Sequence, residues 1–81
     1  MVRVVLYSKD GCSLCSKTSE ILKRLGSERP FWLEVVDITF EPASYDLYKE
    51  WIPVVTIDGV EVMRGIPNEL KLRRSLGLDL I

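Results

Sequence analysis

Apolar and β-branched residues run almost unbroken from Val2 to Tyr7, with Arg3 the single charge, which predicts a strand covered on both faces. Ser8 to Gly11 is polar and ends it. From Cys12 the period changes: Leu14, Thr18, Ile21, Leu22 and Leu25 recur at helical spacing. Lys17, Glu20, Lys23 and Arg24 fall mostly on the other side, and Gly26 is read as the stop of this helix. Phe31 to Ile38, following Pro30, predicts a second strand. Pro42 suits the first turn of a short second helix, with Ala43, Leu47 and Trp51 expected toward the core. Pro53 to Ile57 reads as a third strand centred on Val54-Val55. Asp58-Gly59 is a hairpin turn signal ahead of Val60 to Arg64 as its antiparallel partner. Pro67 opens a last helix with Asn68 and Glu69 in its first turn, and Gly77 ends it.

The resulting order is βαβαββα. A strand–helix–strand unit requires a parallel pair joined by a right-handed crossover, and the final hairpin adds an antiparallel strand. This is an α/β architecture: a four-stranded mixed sheet with helices on both faces. At 81 residues the chain has room for one domain, taken as 1–81. An apolar share of 47% excludes a disordered polyelectrolyte.

Charge is balanced, with 11 Lys and Arg against 12 Asp and Glu and no long like-charge run, so nucleic acid is not expected as a partner. The longest apolar runs are too short to span a bilayer, so no membrane partner is expected either. Only Met1-Val2-Arg3 precedes the body of the first strand, so no signal peptide is expected and a cytoplasmic location is the default. Nothing in the pattern demands a second copy, and a monomer is expected.

The two cysteines, Cys12 and Cys15, carry the chemistry. A bond between them closes a very small loop and removes little unfolded-state entropy, so they make a poor staple. They stand where a strand gives way to a helix, and three residues is nearly one helical turn, which brings both sulfurs to one side. Cys12 would meet the unpaired N–H groups and positive dipole end of the helix, both of which favour thiolate. Such placement lowers a cysteine pKa from about 8.5 into roughly 3.5–7.5. Cys15, inside the first turn, is placed to attack a mixed disulfide on Cys12. These features make Cys12 the nucleophile and Cys15 the resolving thiol. Asp10 would oppose the helix terminus if it lay close, and otherwise is a solvated turn residue.

Two plainer readings stand beside this one. A Cys-x-x-Cys is also half of a zinc site, but a closed tetrahedral site needs two further ligands. The chain has no histidine and no other cysteine, so these would be carboxylates or come from a second subunit. The other reading is an inert pair kept for packing. The missing histidine also removes Cys–His catalysis and histidine general bases.

Tyr7-Ser8-Lys9-Asp10-Gly11-Cys12-Ser13-Leu14-Cys15, then Ile52-Pro53-Val54-Val55, then Ile57-Asp58-Gly59, together resemble the glutaredoxin branch of the thioredoxin superfamily over nearly the whole chain. The motif is similar in particular to small glutaredoxin-like proteins with Cys-x-Leu-Cys. The resemblance implies a thioredoxin fold and thiol–disulfide oxidoreductase activity on protein or glutathione mixed disulfides. Glutathione would be a co-substrate, with no resident cofactor and no metal. It also implies that Pro53 is a cis proline opposite the cysteine pair. The N–H and C=O of Ile52 would then be free to pair with a substrate backbone. Lys9 would stand where glutaredoxins carry a lysine for a glutathione carboxylate; otherwise it is a solvated loop lysine. Tyr7 and Trp51 are candidates for the groove or for the core.

The sequence departs from that family in three places. Ser13 and Leu14 replace a proline and tyrosine, Trp51 replaces the threonine of Thr-Val-Pro, and Arg64-Gly65 stands for a double glycine. Two other functions compete: binding or delivery of a metal or iron–sulfur cluster through Cys12, and a thioredoxin-fold adaptor without turnover. Cluster-binding relatives usually carry a single active-site cysteine, so Cys15 weighs against the first of these.

Overall fold

In the computed structural model, which describes residues 1–78, the elements run in the predicted order. They are β1 (Arg3–Ser8), α1 (Ser13–Glu28), β2 (Trp32–Asp37), a 3-10 turn (Ile38–Phe40), α2 (Pro42–Tyr48), β3 (Val54–Ile57), β4 (Val60–Arg64) and α3 (Glu69–Ser75). The last positions of the expected 1–81 domain, residues 79–81, lie outside the described residues.

β1 sits inside a sheet ordered β2-β1-β3-β4. It pairs in parallel with β2 from Arg3↔Trp32 to Ser8↔Asp37, and antiparallel with β3 from Val4↔Ile57 to Tyr7↔Val54. The β3–β4 hairpin closes through Asp58 and Gly59, whose φ values of 49° and 85° are those a tight two-residue hairpin turn requires. This register puts Ser8, Asp37, Val54 and Arg64 at one end of the sheet. The site is built at that end.

Side-chain alternation along β1 separates the two faces. Val4 and Leu6 join Val55 and Met63 beneath Leu22 and Leu25 of α1, Leu72 of α3 and Leu76 at its C-cap, forming the core. Tyr7 faces the other way, its ring 4.6 Å from that of Tyr48 in α2. Helices therefore cover both faces. Two bidentate ion pairs tie α1 to α3, Arg24 to Glu69 at 2.8 and 2.9 Å and Arg73 to Glu28 at 2.9 and 2.7 Å. Among the described residues no helix is long and apolar enough to cross a membrane.

Three local expectations are corrected. Gly26 does not end α1, which continues to Glu28; its α-carbon instead faces the Phe31 ring. The strand expected over Phe31 to Ile38 is shorter at both ends. Asp37 bends the chain into the 3-10 turn by accepting from the Thr39 amide at 2.9 Å. In α2 the buried face is Ser44 and half-buried Tyr48, while Ala43, Leu47 and Trp51 are exposed. The Ser44 hydroxyl donates to Glu41 at 3.1 Å and Tyr48 stacks on Tyr7, which together rotate this two-turn helix one residue from the apolar stripe. Trp51 lies past its end. The last helix stops as expected: Gly77 takes φ 75°, with Leu78 N–H donating to Arg73 C=O and Gly77 N–H to Arg74 C=O in a Schellman motif.

Candidate active site

Beyond Ser8 the chain turns through Lys9, Asp10 and Gly11, whose φ of 79° suits glycine, and the Cys12 amide donates to the Lys9 carbonyl at 3.3 Å. Cys12 is the N-cap of α1, with extended backbone (φ −91°, ψ 105°). Its Sγ accepts from the Cys15 amide at 3.2 Å, the position a serine or aspartate oxygen takes in ordinary caps. Cys12 is half-buried, and Cys15, one turn on, is 4% exposed. Their α-carbons lie 5.2 Å apart, inside the range of about 4.4–6.8 Å that a disulfide spans, and the sulfurs are joined.

An open groove of about 470 Å³ flanks the pair on the β2 side and includes Lys9, Asp10, Ser16 and Asp37. Lys9 and the cysteines are thus brought together. The Asp37 carboxyl is held below the usual carboxylate range by the Thr39 hydroxyl and then its amide, with a smaller contribution from the charge of Lys9.

Ile52 and Pro53 do not line that groove. They lie on the β3 side, where the Tyr7↔Val54 pair sets Pro53 beside the end of β1. The Ile52–Pro53 bond is cis, Pro53 is buried and Ile52 is half-buried. The expectation of a free Ile52 N–H is corrected: it donates to the Tyr48 carbonyl at 3.1 Å. The physical reason is the end of α2, whose last carbonyls lack helical partners and take the Ile52 amide as one.

Residues 3–77 match the family described as Glutaredoxin-like domain (DUF836). The chain belongs to that family. An uncharacterized protein of Mycobacterium tuberculosis is 29% identical to this glutaredoxin-like domain over 79 residues, covering 91% of the chain and 81% of the relative. The X-ray structure of a protein from X. campestris is similar at TM-score 0.75 and 26% identity, covering 95% of this chain and 99% of that one. The solution structure of a Nitrosomonas europaea protein gives TM-score 0.76 at 24% identity, covering 94% and 87%. A mutant thioredoxin from Halobacterium salinarum matches at TM-score 0.67 and 20% identity, covering 99% and 77%, which places the glutaredoxin-like domain in the thioredoxin fold. That fold, with a bondable Cys12–Cys15 pair at its helix corner, points to redox function.

Two features of this glutaredoxin-like domain were beyond the sequence reading. Gly65 N–H donates to both the Trp51 and Pro53 carbonyls, at 3.0 and 2.8 Å, and its φ of 78° makes glycine the suitable residue. The single glycine of Arg64-Gly65 is thus the one that ties the Trp51–Pro53 loop to the end of β4. The Arg64 guanidinium lies over the Trp51 ring at 5.0 Å while forked onto Glu61. A glycine closing a strand was the only sequence signal for either. Tyr7, offered for groove or core, supports α2 through Tyr48, and its phenol is pushed up by burial first and then by Tyr48 and nearby carboxylates.

Proposed function

We propose that this protein is a dithiol–disulfide oxidoreductase in which Cys12 attacks and Cys15 resolves. The observation that carries the reading is Cys12 Sγ at the N-cap of α1, accepting the Cys15 amide, with Cys15 buried directly behind it. The Cys12 thiolate attacks one sulfur of a substrate disulfide, of a protein or of glutathione. The substrate S–S bond breaks as the new one forms, and the leaving thiolate takes a proton from solvent. Cys15, as thiolate, then attacks Cys12 Sγ and expels the second substrate thiol. The substrate gains two electrons and two protons, and the chain is left as the Cys12–Cys15 disulfide. An external thiol or dithiol reductant returns it to the dithiol by the reverse exchanges.

Lys9 is assigned to the groove beside Cys12, and Ile52 and Pro53 to the β3 side of the pair, outside that groove, where the Ile52 carbonyl serves as the backbone acceptor. The test is stoichiometric: reduced protein is mixed with a small disulfide and thiol release is followed. One disulfide consumed per chain, lost in Cys12→Ser, supports the reading. Equal consumption by Cys12→Ser overturns it.

A further inference from the structure

The end of the sheet that carries Cys12 is both apolar and acidic. Strand ends Ser8, Asp37, Val54 and Arg64 come together there, so segments 8–14, 37–53 and 64–68 form its surface. Large apolar side chains on these segments face solvent: Phe40 of the 3-10 turn is 82% exposed, Leu47 of α2 65%, and Trp51 and Ile66 of the loops 49% and 78%. Scattered exposed apolar residues are ordinary. These differ in lying on segments that the strand register brings to the same end of the sheet as Cys12, and the Gly65 hydrogen bonds tie the Trp51–Pro53 loop to the residue before Ile66.

The same segments carry five acidic side chains, Asp10, Asp37, Glu41, Asp46 and Glu50, against three basic ones, Lys9, Lys49 and Arg64. The remainder of the chain is slightly basic, so the acidity is local to this end. Of the three cations, Arg64 is already forked onto Glu61 at 2.6 Å and stacked on Trp51. Lys9 shares its groove with Asp10, Glu20 and Asp37 as well as with Lys23, three carboxylates against two ammonium groups. Glutathione brings two carboxylates and one ammonium, so it would meet a surface of its own sign. A cationic, partly apolar polypeptide would meet the opposite sign and cover the exposed side chains.

We propose, resting on the dithiol reading above, that the preferred substrate is a disulfide within a basic polypeptide segment with apolar neighbours, rather than a glutathione disulfide. The exchange is the one already written, with the peptide cystine as the disulfide reduced. The collar of Phe40, Leu47, Trp51 and Ile66 receives the apolar flanks, and the carboxylates receive the lysines or arginines.

The test uses the reduced protein with four disulfides: dipyridyl disulfide, glutathione disulfide, and two peptide disulfides identical except that lysine in one is glutamate in the other. The lysine peptide should react about tenfold faster than the glutamate peptide and glutathione disulfide. That advantage should shrink as ionic strength rises from roughly 0.01 to 1 M, where the Debye length falls from about 30 to 3 Å. Leu47→Ser with Ile66→Ser, both at exposed positions, should lower the ratio of lysine-peptide rate to dipyridyl rate severalfold. Glutathione disulfide reacting as fast as the lysine peptide, peptide rates indifferent to charge, or a ratio unmoved by the double substitution each overturns the proposal while leaving the dithiol reading standing. Failure to reduce dipyridyl disulfide overturns both.

Discussion

The Cys15 amide donates to Cys12 Sγ at 3.2 Å. A sulfur that caps a helix in this way is stabilised as an anion by the hydrogen bond and by the helix dipole, and neither helps the neutral thiol. In Cys15→Ser, which isolates Cys12, the alkylation rate against pH should therefore titrate clearly below the free-thiol value of about 8.5. A midpoint at or above that value would remove the nucleophile assignment.

Burial of Cys15 behind Cys12 separates the roles of the two sulfurs. Cys12→Ser should abolish disulfide reduction. Cys15→Ser should still exchange once, and should accumulate a stable mixed disulfide with a protein substrate because nothing within the chain resolves it. Mass spectrometry of the products distinguishes the cases: an adduct on Cys15→Ser and none on Cys12→Ser.

Gly26 is helical and open to a side chain, since an added Cβ would meet the Phe31 ring at 3.4 Å, ordinary van der Waals contact. Gly26→Ala should stabilise the fold by about 0.5–1 kcal/mol, the usual cost of glycine inside a helix. Gly77 is the opposite case, with φ 75° and an added Cβ 2.6 Å from the Arg29 guanidinium. Gly77→Ala should destabilise by about 1–2 kcal/mol. Melting curves decide, at about 4–8 °C per kcal/mol for a domain of this size. A loss of stability in Gly26→Ala would mean that the helix ends there after all.

The ion pairs between α1 and α3 set an acid limit. Hydrogen bonds from Arg73 to Glu28 and from Arg24 to Glu69 hold both carboxyls below their ordinary value of 4.5. Their contribution to stability is complete above that value and is lost as the pH falls through the lower, folded-state values. The melting temperature should fall below about pH 4.5, and Arg73→Met should flatten that dependence. The groups are exposed, so added salt should weaken the effect as well. An acid limb of equal steepness in Arg73→Met would assign the acid sensitivity to other carboxylates.

What the sequence determined by itself is local in origin. The switch from a continuous apolar run to helical spacing at Cys12 and the Asp58-Gly59 turn each depend on neighbours within about one turn, and both appear where the pattern places them. The last helix starts two residues later than expected, at Glu69, because the Asn68 side chain accepts from the Lys71 amide and caps it. The Cys-x-x-Cys pair belongs to this class too, because its geometry follows from one turn of helix. Tertiary structure decided whatever depends on partners distant along the chain. The phase of α2 follows from Tyr48 meeting Tyr7, forty-one positions away, so the apolar stripe Ala43–Leu47 pointed outward. The helix continues through Gly26 with Phe31 packed against that glycine, although glycine alone reads as a stop. The Ile52 amide was claimed by the end of α2, and Trp51 was drawn under Arg64 by the return of β4. Local propensity is a matter of tenths of a kcal/mol per residue, and contacts made across the sheet outweigh it wherever the two disagree.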